Sequence, residues 1–121
     1  MTESVRTAEE LLARMLGGVF NEPDAQRREA VIAEVFTEDV VFADDGHAVT
    51  GRAELAATVT GLLAQGPGLV FTPAGPFRGV TDLGMRPWRL GPPGGAPVVG
   101  GLDVAQVVDG RIARLWTLLD A

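Results

Sequence analysis

Gly68 divides this chain into two kinds of sequence. Before it, apolar residues recur mostly at helical spacing; after it, they come in short runs broken by glycine and proline. Helices first and hairpins afterwards restrict the chain to an α+β fold, with helices packed on one side of an antiparallel sheet. Thr7 and Glu10 form a capping-box pair ahead of Leu11, Leu12, Met15, Leu16 and Val19, so a helix is expected from Thr7 to Phe20. Asn21-Glu22-Pro23 breaks it, and Asp24 is placed to cap a second helix containing Ala30, Val31 and Ala33. Phe36 to Ala43 reads as a strand, Asp44-Asp45-Gly46-His47 as a turn, and Thr50 to about Gln65 as a third helix. Strands are then expected at Leu69–Thr72, Phe77–Thr81, Leu83–Leu90, Pro97–Val108 and Arg111–Leu119. Gly91 to Gly95 is too rich in proline for a sheet interior, and Asp109-Gly110 has the composition of a tight hairpin turn. No repeat or linker is evident, so residues 1–121 are read as one domain.

The strand before Asp109 carries a second constraint. Leu102, Val104 and Val108 share one face, while Val99, Ala105 and Val107 share the other. A sheet with one face in water alternates apolar and polar residues, whereas here both faces are apolar. Helices can cover one face only. A second copy of the chain is the simplest cover for the other, so a homodimer through the sheet is expected.

Composition narrows the partners. With no cysteine and one histidine, disulfides, thiol nucleophiles and ordinary zinc sites are not expected. The chain carries a net charge of −6, with arginine as its only basic residue besides the histidine, and this argues against a nucleic-acid partner. Thr2, Glu3 and Arg6 lead directly into an amphipathic pattern, and no stretch is long and apolar enough for a membrane span. A cytoplasmic protein with no membrane association is expected. Ser4, the only serine, is a poor candidate nucleophile because it sits at the N-terminus. Gly-Pro-Pro-Gly-Gly is no phosphate loop, since neither a lysine nor a helix start follows it.

Asp103 lies in the middle of the apolar strand. A desolvated carboxylate pairs with a cation or takes up a proton, and once neutral it can donate a hydrogen bond to an oxyanion. Arg86 or Arg89 on the neighbouring strand would serve as an ion-pair partner in the structural alternative. Asp44 and Asp45 end the first strand, where a carboxylate beside an apolar cavity can act as a general base; an ordinary turn explains them equally well. His47 is the only side chain expected to titrate near neutrality. Trp88 and Trp116 offer large apolar surfaces for a pocket, a core or an interface.

The order of these parts resembles the nuclear-transport-factor-2-like folds, in their SnoaL-like and ketosteroid-isomerase-like branch. The resemblance rests on Leu11-Leu12-Ala13-Arg14, on Phe36-Thr37-Glu38-Asp39-Val40-Val41-Phe42 followed by Gly51-Arg52, and on Leu102-Asp103-Val104 followed by Asp109-Gly110-Arg111-Ile112. It implies a cone-shaped fold, three N-terminal helices on a strongly curved antiparallel sheet that encloses an apolar pocket. In the isomerases one aspartate moves a proton between carbons, while a protonated aspartate and a tyrosine hold the enolate oxygen. By resemblance Asp44 (or Asp45) takes the role of base and Asp103 that of the oxyanion acid. The tyrosine position is Met15, and the chain has no tyrosine. In the related epoxide hydrolases an arginine precedes the strand aspartate by two residues; here Gly101 stands there, leaving epoxide hydrolysis a minor alternative.

The resulting expectation is an isomerase or polyketide-cyclase-like enzyme that transfers protons next to a carbonyl of a small apolar substrate, without cofactor or metal. Met15, Phe20, Phe42, His47, Met85, Trp88 and Leu119 are the expected substrate-binding residues. The alternative is a non-catalytic ligand-binding or dimerisation module of the same fold.

Overall fold

A computed structural model describes residues 6–120; Ser4 and the other N-terminal residues discussed above, apart from Arg6, lie outside that range. The Thr7 capping box forms as the sequence dictates. The Thr7 hydroxyl accepts from the Glu10 amide at 3.2 Å, and the Glu10 carboxylate accepts from the Thr7 amide at 2.9 Å. Helix α1 spans Ala8–Met15 and continues into a π-helical turn, Leu16–Phe20. Gly18 allows that turn to lie against helix α2 (Ala25–Val35), since a Cβ there would come within 2.9 Å of Val31 Cγ1. Asp24 caps α2 through the Arg27 amide.

Strand β1 (Phe36–Asp44) turns at Asp45-Gly46 into β2 (His47–Thr50), a short strand where only turn chemistry had been expected. Gly51, at φ +95°, starts helix α3 (Arg52–Gln65). The Arg52 guanidinium reaches back to the Phe36 and Ala33 carbonyls, satisfying acceptors left open at the end of α2. The Gly51-Arg52 motif is thus a structural joint. The remaining strands are β3 (Val70–Pro73), β4 (Arg78–Val80), β5 (Leu83–Gly91), β6 (Val99–Val108) and β7 (Arg111–Leu119). Asp109 and Gly110 both have positive φ, 51° and 78°, as the tight β6–β7 turn requires.

The seven strands form one curved, unclosed sheet in the order β2-β1-β7-β6-β5-β3, with β4 also paired to β5. Every pairing is antiparallel except β1 with β7, which is parallel. The sheet is therefore mixed, a correction to the expected antiparallel one. Tight turns dictate direction only for strands adjacent in sequence, and β1 and β7 are joined through the whole domain. The helices pack on one face over a core in which Leu11, Met15, Val35, Phe36, Leu55, Ile112 and Leu115 are fully buried. Burying each such side chain stabilises the fold by about 1.5–3 kcal/mol. The opposite face carries a row of register partners, Ala43, Trp116, Val104 and Met85, all part-buried, with Leu118 beside them 53% exposed.

Candidate active site

The inner face of β5, β6 and β7 positions the central group. Register places Arg86 and Thr117 on either side of Asp103, and Trp88 beside Gly101. The Thr117 hydroxyl donates to Asp103 Oδ1 at 2.7 Å, and the Trp88 indole Nε1 donates to the same oxygen at 3.1 Å. Glycine at 101 makes the second bond possible. A Cβ there would lie 2.5 Å from Trp88 Cζ2 and 2.6 Å from the Leu118 carbonyl, so any larger residue would displace the ring. The indole also fills the place where an arginine would precede the aspartate by two residues.

Asp103 is only 8% exposed, and burial pushes its carboxyl up to about 6 against the lowering pull of the Thr117 and Trp88 hydrogen bonds. The ion-pair alternative does not form. Arg86 stands directly opposite, yet its Nε donates to the Gly75 carbonyl and no ion pair joins it to Asp103. Arg89 pairs with Gly100 on the outer face. Neither hydrogen bond to Asp103 uses Oδ2. Among the described residues the only fully enclosed side-chain polar atom without a partner is Thr37 Oγ1. Oδ2 is therefore reached through an opening.

Asp103 lines a cavity of about 380 Å³ between the sheet, the π-helical turn and α3, a size suited to a small molecule, and also a small crevice shared with Arg86. The cavity wall is an edge-to-face chain of rings. Phe42 and Phe20 lie 6.3 Å apart, Phe20 and Phe71 5.5 Å, and Phe71 and Trp88 5.3 Å. The Asn21 side chain pins this wall with two 2.7 Å hydrogen bonds to the Phe71 backbone, holding β3 against the π-helical turn. Leu16, Leu62, Leu90, Val99 and Leu119 complete the apolar lining, while Asp103 and Thr117 lie within and both Asp44 and Asp45 contribute carboxylates. Asp44 and Asp45 are exposed, in contrast to Asp103. Among the described residues no group of three or more histidine, cysteine, aspartate and glutamate side chains is arranged to hold a metal ion.

Of the residues expected from sequence, Asp44, Asp103, Phe20, Phe42, Trp88 and Leu119 meet in this cavity, with Asp45 beside them. Three do not line it. Met15 is fully buried in the core, because the π-helical turn after it presents Leu16 and Phe20 instead. Met85 pairs with Val104 on the outer face, one strand position out of phase with Trp88. His47 opens the exposed edge strand β2, its Nδ1 3.9 Å from Asp44 Oδ1 and its side chain 61% exposed. Sequence reading missed Leu16, Leu62, Phe71, Leu90, Val99 and Thr117. Parity alone would have placed Val99 and Phe71; the place of Thr117 depends on a register shift between β6 and β7.

The fold has close relatives among solved structures. A provisionally named isomerase of the SnoaL-like family from Agrobacterium tumefaciens superposes with a TM-score of 0.85 at 28% identity, covering 92% of this chain and 95% of its own. A provisionally named SnoaL-like polyketide cyclase from Jannaschia sp. gives 0.78 at 18% identity, over 99% and 91%. A provisionally named ketosteroid isomerase from Kribbella flavida gives 0.68 at 17% identity, over 92% and 76%. No curated protein matches the sequence. The model of the SnoaL-like domain family matches residues 12–115, from α1 through the middle of β7 and across every strand that lines the cavity, so the chain belongs to the SnoaL-like domain family.

Proposed function

We propose that this protein is an isomerase or cyclase-type enzyme that moves a proton at the carbon next to a carbonyl of a small apolar substrate. The observation that carries this reading is the Asp103 carboxyl: buried, bonded on one oxygen and open on the other, in a cavity that also holds Asp44 and Asp45. In the proposed step the Asp44 carboxylate, with Asp45 as the alternative, takes a proton from the α-carbon. The C–H electron pair becomes the enolate double bond and the carbonyl π pair moves onto oxygen, where protonated Asp103 donates a hydrogen bond from Oδ2. Returning the proton to another carbon completes an isomerisation; attack by the enolate carbon on a second electrophilic centre closes a ring. Proton exchange at the α-carbon of model ketones in deuterated buffer tests the step. Exchange that is lost in Asp103→Asn and in one of Asp44→Asn and Asp45→Asn supports it, and exchange unchanged in all three ends it.

A second reading, a ligand-binding module without catalysis, is favoured by one feature. With Met15 in the core and no tyrosine in the chain, the cavity lacks the isomerases' second oxyanion donor. The outer row of Trp116, Val104 and Met85, flanked by exposed Leu118, is proposed as a homodimer interface. The lack of cysteine suits a cytoplasmic setting; no helix among the described residues is long and apolar enough to cross a membrane.

A further inference from the structure

The charges of this chain are segregated around the cavity. All ten arginines lie within the described residues, and none lines the cavity or the groove of about 780 Å³ that adjoins it through Asp44, Asp45, Thr117 and Leu119. Arg86 comes nearest, in a crevice behind Trp88 and Asp103, with its guanidinium directed to the Gly75 carbonyl. Carboxylates do face the opening: Asp44 and Asp45 in both cavity and groove, and Asp120 in the groove. A cleft lined by one sign of charge over low-dielectric walls focuses its field on whatever enters. Behind the carboxylates stands the four-ring wall, with Asp103 Oδ2 unbonded at 8% residue exposure. An apolar ring body has a seat there, and a cation attached to it has carboxylates and ring faces within reach. Among the described residues that line the cavity and the groove, an anion attached to it would meet carboxylates and no arginine.

We propose that the cavity selects its ligand by charge, binding compact aromatic or alicyclic molecules in the order amine, then neutral carbonyl compound, then carboxylate. This inference rests on the reading of the cavity as the ligand site and adds the substrate class to it.

Three naphthalenes of matched size test the order: 2-(aminomethyl)naphthalene, 2-acetylnaphthalene and 2-naphthoate. Their affinities are measured by calorimetry on the full chain at about pH 7.5. At low ionic strength the amine is expected to bind about tenfold more tightly than the carboxylate, with the ketone between them. The gap should narrow at about 0.5 M salt. Asp45→Asn combined with Asp120→Asn should narrow it too, by weakening the amine and strengthening the carboxylate. A carboxylate that binds as tightly as the amine overturns the proposal, as does a gap that ignores both salt and the double substitution. If none of the three binds, the charge order and the cavity reading fall together. If the order holds while 2-acetylnaphthalene shows no exchange of its methyl protons, the catalytic reading alone fails.

Discussion

Asp103 and the Asp44–Asp45 pair are the same side chain in two settings on one sheet. Asp103 sits mid-strand on the covered face, with two donors on one oxygen and its carboxyl raised to about 6. Asp44 and Asp45 sit where β1 meets its hairpin turn, exposed to water. Burial therefore assigns the roles. The desolvated carboxyl keeps its proton up to about pH 6, which suits it to the proposed role of donor, and the exposed pair is left as the proposed base. An apolar strand can carry an aspartate because Thr117, Trp88 and Gly101 are arranged around it.

The contrast can be broken from either end. The largest expected effect falls on the base. Replacing whichever of Asp44 and Asp45 acts with asparagine should slow α-proton exchange by about 10²–10⁴-fold, while the other substitution leaves it within a few fold. Asp103→Asn should cost about 10²–10³-fold. In the wild type, exchange should fall with rising pH above about 6, as Asp103 loses the required proton.

The same Asp103→Asn substitution that slows exchange should raise stability. Burial raises the Asp103 carboxyl from an ordinary 3.8 to about 6, so folding is least penalised below pH 3.8, where the carboxyl is protonated in both states. The penalty grows as pH rises from 3.8 to about 6 and then stays constant. That rise corresponds to about 3 kcal/mol. In urea unfolding, Asp103→Asn is expected to be more stable than wild type at pH 7 by up to that amount, and the advantage should vanish near pH 4. Gly101→Ala would force Trp88 aside, costing about 1–3 kcal/mol by overpacking and breaking the indole bond to Asp103. Smallest for the site is a change on the other face. The proposed interface predicts a dimer in sedimentation that Leu118→Lys converts to monomers, with the Asp103 titration left where it was.

The parts of this molecule that follow local rules were legible in the sequence. The Thr7 capping box, the Asp24 cap and the Asp109-Gly110 turn each rest on side chains a few residues apart, and all three formed. The strand period of two put Asp103 on the face of Val99 and Ala105, but with both faces apolar only the family resemblance made that face the inward one. Features set by pairing between distant strands were not legible. A regular hairpin counted back from Asp109-Gly110 would put Trp116 opposite Asp103. Instead, a register shift pairs Val107 with Ile112 but Gln106 with Arg114, leaving Ala113 unpaired and bringing Thr117 to the carboxyl. Met85 was misplaced because its phase is set by pairing with β6 rather than by its apolar character. Met15 was misplaced because a π-helical turn changes which side chains meet the cavity, and nothing in Leu16-Gly17-Gly18-Val19-Phe20 announces that turn beyond its two glycines.

The central claim is that Asp103 is a carboxyl held ready to be neutral. Its side-chain carbon signal, assigned by loss in Asp103→Asn and followed by ¹³C NMR across the acid range, tests this directly. The expected midpoint is near 6, with the Trp88 indole N–H signal moving over the same range because it donates to the carboxyl that titrates. A midpoint near the ordinary aspartate value of about 3.9, or an indole signal indifferent to it, would contradict the account.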